Sequence, residues 1–192
     1  MTITEQDLYQ YHEEVFKPIY ADLIAVIGTK PEQIVFELEA ALSHIAVAKT
    51  DNSVYQENID KAHGHLQRAA LDAAKIMWLE YRERAEKITM DSDIRKFASN
   101  SSEQEILQQF QDAEELAIQA RKKEVTNTGK SPSEAIELYY GAAQAFSAVL
   151  DFIDPSKVES LSRFKAKIKA KENIISFILG VSSSALVAYF FA

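Results

Sequence analysis

The chain has 192 residues, of which 47% are hydrophobic and 26% charged, enough for one domain with a real core. It has no cysteine, which excludes a disulfide framework, a thiolate zinc site and a cysteine nucleophile. The net charge of −8 is uneven: from Pro155 onward six basic and two acidic residues give +4, so the preceding body carries −12, which argues against broad nucleic-acid binding by its whole surface.

The first half of the chain predicts three helices. Apolar residues at helical spacing cover residues 6–27, and Gly28 ends that run. Pro31 stands where a first helical turn would begin, and the next helix covers residues 31–49. After a turn at 50–53, a long helix covers 54–87, which at ~1.5 Å per residue reaches ~50 Å. We allow for its continuation to Phe97 beyond a kink near Asp91.

Two capping signals mark the helices that follow. Ser102 and Glu105 have capping-box spacing at the start of one helix. The stretch Ser131-Pro132-Ser133-Glu134 starts another, which runs to about Ile153. No strand pattern or repeat is present. Residues 1–153 are therefore expected to form an all-α bundle of about five helices around a long central helix.

The last part of the chain predicts a neck and a membrane span. Residues 154–172 are expected to form a helix whose basic side chains would lie at a membrane surface: Arg163, Lys165, Lys167, Lys169 and Lys171. Residues 173–192 follow without a helix breaker. Their uncharged run, 174–192, spans ~28 Å, close to the thickness of a bilayer's hydrocarbon core. The alternative is a hydrophobic helix buried in the core or in a dimer interface.

Small residues in the predicted span fall at steps of four: Ser176, Gly180, Ser184, Ala188 and Ala192. Helices in a bilayer associate through close backbone contact, which a row of small residues permits. We therefore expect the tails to pack into a homo-oligomer. Serines Ser176, Ser182 and Ser183 are the candidate lining of a water-filled centre. Alternatively, their hydroxyls bond only to carbonyls of their own helix.

The strongest catalytic candidates lie on the long helix, in the stretch AHGHLQRAALDAAK. His65, Arg68 and Asp72 share one helix face, with His63 nearby. Such groups could move protons and hold a phosphate during RNA cleavage. They could equally form a polar network that fixes helix packing, which is the interpretation we favour. No metal-binding motif, phosphate loop or nucleophile elbow is present, and no cofactor is predicted.

The long helix with AHGHLQRAALDAAKIMWLEY, set in a small helical bundle, resembles proteins of the HEPN class. Joined to a membrane helix, it is similar to the HEPN-like membrane accessory proteins of type VI CRISPR systems. The resemblance implies an oligomeric pore in antiviral defence and a bacterial inner membrane. The nuclease signature of the class, arginine followed four to six residues later by histidine, is absent from this chain.

These observations predict a single-pass membrane effector with a cytoplasmic N-terminus, which self-assembles and forms or gates a pore. Its partners would be the lipid bilayer and further copies of itself, and the sequence does not identify a protein or RNA trigger. Two alternatives remain open. One is a membrane-anchored HEPN-type ribonuclease, and the other is a passive tail-anchored adaptor that recruits a partner.

Overall fold

The computed structural model describes residues 2–126 and 131–191, with side chains up to residue 179. The described backbone is helical throughout and forms no strand; Ser99 and Ile153 make an isolated antiparallel bridge. The α-helices are α1 (Glu5–Tyr11), α2 (Lys17–Ile27), α3 (Glu32–Thr50), α4 (Tyr55–Met90), α5 (Ser92–Phe97), α6 (Glu103–Thr126), α7 (Ser133–Asp151) and α8 (Pro155–Phe191). The predicted all-α bundle is confirmed.

Helices α1 and α2 form one rod because a π-helical turn, His12–Phe16, joins them. In that turn the Lys17 N–H donates to the carbonyl of His12. Pro18 follows directly, and its ring has no N–H and would crowd a carbonyl of the preceding turn. The wider turn accommodates the proline. The rod ends at Gly28, whose φ of 73° is the left-handed conformation that glycine adopts at low cost.

Helix α4 is the spine of the bundle, and different helices cover its two halves. Its N-terminal half packs against α1 and α3 through a cluster of buried residues that includes Leu8, Ala41 and Leu66. Its C-terminal half packs against α6 and α7, where Ala85 and Phe146 are fully buried. Many of the buried residues are alanines, which allow the helix axes to approach closely.

Between α4 and α6 the long helices are interrupted, and the short helix α5 lies in the interruption. Asp91 ends α4 and accepts hydrogen bonds from the N–H groups of Asp93 and Ile94, which caps α5. Ser102 and Glu105 form the expected reciprocal cap of α6. The kink near Asp91 is thus a true break. Five long rods, counting α1 and α2 as one, agree with the predicted number of helices in the body.

Helix α8 leaves the bundle as one continuous helix. Its start is fixed by the Asp154 N–H, which donates to the carbonyl of Ala98 at 2.8 Å, and by Val158, which packs against the core. From residue 162 to residue 179 every residue is exposed. Across the helices of the described part of the chain, none carries a stretch apolar and long enough to cross a membrane.

Candidate functional site

The candidate catalytic residues His65 and Arg68 meet at the contact between α3 and α4, where Glu37 binds both. Oε2 of Glu37 lies 2.6 Å from Nδ1 of His65 and accepts from Nε of Arg68 at 3.1 Å. Nη2 of Arg68 also lies 2.7 Å from the same Nδ1. One ring nitrogen cannot donate and accept at once. The bond to the carboxylate is the charge-assisted one, so we assign the proton to Nδ1, which then donates to Glu37.

A second histidine extends this network toward the end of α3. The ring of His44 stacks on that of His65 with centroids 5.2 Å apart. Its Nδ1 lies 2.8 Å from Oδ1 of Asn58, which is buried and donates through Nδ2 to the carbonyl of Val54. The amide of Asn58 is therefore satisfied on both sides. This network ties two helices together, as the structural interpretation of the sequence requires.

The network lies at the edge of an open groove of about 640 Å³. The groove is lined by His44, Glu57, Asp60, Lys61, Gly64, His65 and Arg68. Lys61 is paired with Glu57 at 2.5 Å, and the arginine and histidine are occupied by Glu37. Among the described residues, no three histidine, aspartate or glutamate side chains are placed to hold a metal ion.

The other two candidates lie apart from this network. Asp72 is half-buried, and burial raises its pKa above the ordinary value, but no hydrogen bond joins it to His65 or Arg68 in the described structure. His63 turns toward α1, where its ring meets Tyr11 edge-on with centroids 5.0 Å apart. Burial there lowers its pKa. The four candidates therefore do not form one constellation.

The basic neck divides into paired and unpaired cations. Lys165 reaches back to the start of α5, where its Nζ lies 2.8 Å from Asp93 and 3.3 Å from Asp91. The hydrogen bond to Asp93 raises the pKa of Lys165. Arg163 pairs with Glu159 on its own helix. Lys167, Lys169 and Lys171 make no ion pair within the described part of the chain.

Beyond the neck, residues 174–179 of α8 present large apolar side chains to solvent. Ile174, Phe177 and Leu179 are 60%, 72% and 64% exposed, and Ile175 and Ile178 are also exposed. Ser176, the first small residue of the predicted packing row, is exposed among them. The other predicted packing and lining residues lie outside the residues whose side chains are described: Gly180, Ser182, Ser183, Ser184, Ala188 and Ala192.

Sequence reasoning missed the partners that come from other helices. Glu37 and His44 lie on α3, and Asp91 and Asp93 lie at the α4–α5 break, far from their partners along the chain. A helical period shows which residues share a face but not which helix that face meets, so no signal in the sequence pointed to these pairs.

Comparison of the chain with protein-family models, with curated proteins and with solved structures finds no match in any of the three.

Proposed function

We propose that the chain is a tail-anchored, self-assembling membrane protein whose last helix enters a bilayer and forms or gates a pore. The observation that carries the proposal is α8 itself. It continues without a break from the basic neck into a run of large apolar side chains that are exposed. Large apolar side chains that are exposed as a group mark a surface that binds a membrane or another protein.

The exposed apolar side chains of α8 explain why its insertion into lipid would lower the free energy. Fully burying one leucine, isoleucine or phenylalanine gains roughly 1.5–3 kcal/mol, and residues 174–179 hold five such residues. The sequence continues to residue 192 without a charge, which extends the apolar length toward that of a hydrocarbon core. Transfer of this segment into lipid would therefore be strongly favourable.

The basic neck indicates how the protein would be oriented in the membrane. Lys167, Lys169 and Lys171, which make no ion pair with any described residue, shortly precede the apolar segment. Cations beside a span stay on the cytoplasmic side and attract anionic headgroups. The acidic bundle and the N-terminus would then lie in the cytoplasm. Lys165 and Arg163 are already paired with carboxylates, so the lipid contact falls to the last three lysines of the neck.

Self-assembly would use the small-residue row in the tail, and the serines beside it would line the pore. Antiviral defence enters the proposal through the resemblance to HEPN-like membrane accessory proteins alone. We do not propose the ribonuclease alternative, because Glu37 occupies both His65 and Arg68 and the arginine–histidine signature is absent. The adaptor alternative predicts a monomer in detergent.

Leakage of a dye from loaded liposomes tests the proposal. The full chain should release the dye, and Gly180→Leu should reduce release by widening the contact between tails. The double variant His65→Ala, Arg68→Ala is the control. It should release the dye as the unchanged chain does, because the ribonuclease alternative requires those groups and a pore does not. Tight liposomes at high protein loading would contradict the pore. Equal leakage from Gly180→Leu and the unchanged chain would contradict assembly through the row.

A further inference from the structure

A cleft of about 420 Å³ lies between the rod formed by α1 and α2 and helix α7, and we call it the rod–α7 cleft. Its apolar lining comes from Val15, Pro18 and Ile19 of the rod and from Ile136 of α7. Ile19 and Ile136 are only 6% and 2% exposed, so the packing of the bundle holds them in place. The volume and the apolar lining are those of a site for a small organic molecule, which typically measures ~300–1,000 Å³.

The π turn of the rod shapes one side of the rod–α7 cleft. Glu14 and Val15 lie within the turn, His12–Phe16, and Pro18 follows it. Helical turns of this width are rare in proteins and often lie at functional sites. The turn therefore does more than accommodate the proline, because it also places Glu14 and Val15 in the cleft.

Two carboxylates line the rod–α7 cleft without a cation to balance them. Glu14 accepts a hydrogen bond from the neutral side-chain amide of Gln10 at 3.0 Å. Glu137 makes no ion pair within the described part of the chain. Lys17, the next cation along the rod, is paired with Glu13 at 2.6 Å. No lysine, arginine or histidine is among the described residues that line the cleft.

Two tyrosines complete the lining of the rod–α7 cleft. The hydroxyl of Tyr140 donates to Asp22, which ties α7 to α2. The hydroxyl of Tyr11 is buried and has no hydrogen-bond partner in the described structure, which is rare in folded proteins. Burial raises the pKa of Tyr11 to about 12, so this hydroxyl keeps its proton at neutral pH. The faces of tyrosine rings attract organic cations.

We propose that the rod–α7 cleft binds a small organic cation, one in which an ammonium or guanidinium group is joined to an apolar body. The two carboxylates supply the opposite charge, the tyrosine rings attract the cationic group, and the apolar lining takes the body of the ligand. An organic anion would meet two like charges. The inference goes beyond the proposed membrane function and does not depend on it, because every described residue of the lining belongs to the bundle.

The groove beside α3 and α4 shows why the rod–α7 cleft is the better site for a cation. That groove is larger, but its charges are matched within the chain. Lys61 pairs with Glu57, and Glu37 binds both His65 and Arg68. In the rod–α7 cleft the carboxylates lack such partners, so a ligand would supply the missing positive charge.

Equilibrium dialysis of the full chain in an uncharged detergent tests the inference, with detergent alone as the blank. Three probes share one aromatic ring: benzyltrimethylammonium is a cation, benzyl alcohol is uncharged and benzenesulfonate is an anion. The cation should bind about tenfold more tightly than the alcohol, as two partly exposed ion pairs and a cation–π contact allow. The anion should not bind. No binding of the cation, or equal binding of the cation and the alcohol, would overturn the inference.

Removal of the carboxylates asks whether they attract the cation. The double variant Glu14→Gln, Glu137→Gln should bind benzyltrimethylammonium about tenfold more weakly than the unchanged chain. The matched control is Glu39→Gln, Glu115→Gln, which removes two exposed carboxylates from α3 and α6 and should leave binding unchanged. An equal loss in both would show general attraction to an acidic surface and would refute the site.

A lysine placed in the lining asks where the cation binds. Ser133 lines the rod–α7 cleft one helical turn before Glu137, so the lysine of Ser133→Lys can pair with that carboxylate. Binding of benzyltrimethylammonium should fall about tenfold. Ser43→Lys adds the same charge at an exposed position of α3 and should have no such effect. Circular dichroism checks that each variant is folded, and full binding by folded Ser133→Lys would contradict the inference.

Discussion

At the scale of single residues, the position of Glu37 favours a structural role over a catalytic one for the polar network between α3 and α4. It is the common acceptor of His65 and Arg68, and its side chain is only 25% exposed. A carboxylate that serves two donors across a helix contact holds that contact in register. The histidine and the arginine then belong to the architecture of the bundle, and their shared face on α4 is explained without catalysis.

Replacing Glu37 by glutamine should destabilise the bundle by about 1–2 kcal/mol, since it weakens two charge-assisted hydrogen bonds that are partly shielded from water. Thermal unfolding followed by circular dichroism measures this as a loss of about 2–8 °C in Tm. Glu115→Gln removes an exposed carboxylate on α6 and should change stability by less than about 0.5 kcal/mol. Indistinguishable variants would mean that Glu37 does not support the contact.

The sequence predicted part of this network. His65 and Arg68 lie three residues apart, and their common face follows from helical geometry alone. Asp72 was expected to join them and does not, because helical spacing places a side chain on a face without bonding it to its neighbours. Glu37 lies 28 residues from His65 along the chain, and only the packing of α3 on α4 brings the two together.

At the scale of helices, Lys165 ties the neck of α8 to the start of α5. Lys165 bridges Asp91 and Asp93 at the start of α5, while the next lysine, Lys167, has no ionic partner in the described residues. The bridging side chains are 35–46% exposed, so the bridge adds little stability. We expect the bridge to act on direction instead, by restraining the angle at which α8 leaves the bundle.

Lys165→Ala should loosen that angle without unfolding the protein. Spin labels on α5 and on α8 near residue 169 should show a broader distance distribution in this variant. Lys167→Ala removes a neighbouring cation that has no ion pair in the described part of the chain, and it should leave the distribution as it was. High salt should act like Lys165→Ala, since it screens the bridge. A narrow distribution in Lys165→Ala would show that packing at Val158 alone sets the angle.

Most helix boundaries were predictable because local chemistry marks them. Gly28, the Asp91 break and the Ser102 cap stand within one or two residues of the observed ends. The π turn was not foreseen. The apolar period runs through it, and its cause, Pro18, lies inside a run that otherwise reads as one helix.

At the scale of the whole molecule, the division of charge and apolarity matches the division of structure. Most acidic residues lie on the bundle, a run of basic residues lies on the neck, and a run of exposed apolar residues lies on the far part of α8. The sequence predicted this order, since charge and hydropathy are read directly from composition along the chain. The arrangement of helices around α4 depends on contacts between distant residues and was not predictable in this way.

Flotation on a density gradient is the measurement that tests the membrane proposal most directly. The full chain, mixed with liposomes containing anionic lipid, should float with them and stay bound in high salt, because apolar insertion is not screened. A chain ending at Glu172 keeps the whole neck and should remain at the bottom in high salt. Full-length protein that sinks with this shortened chain, or is released by salt, would contradict insertion of the tail.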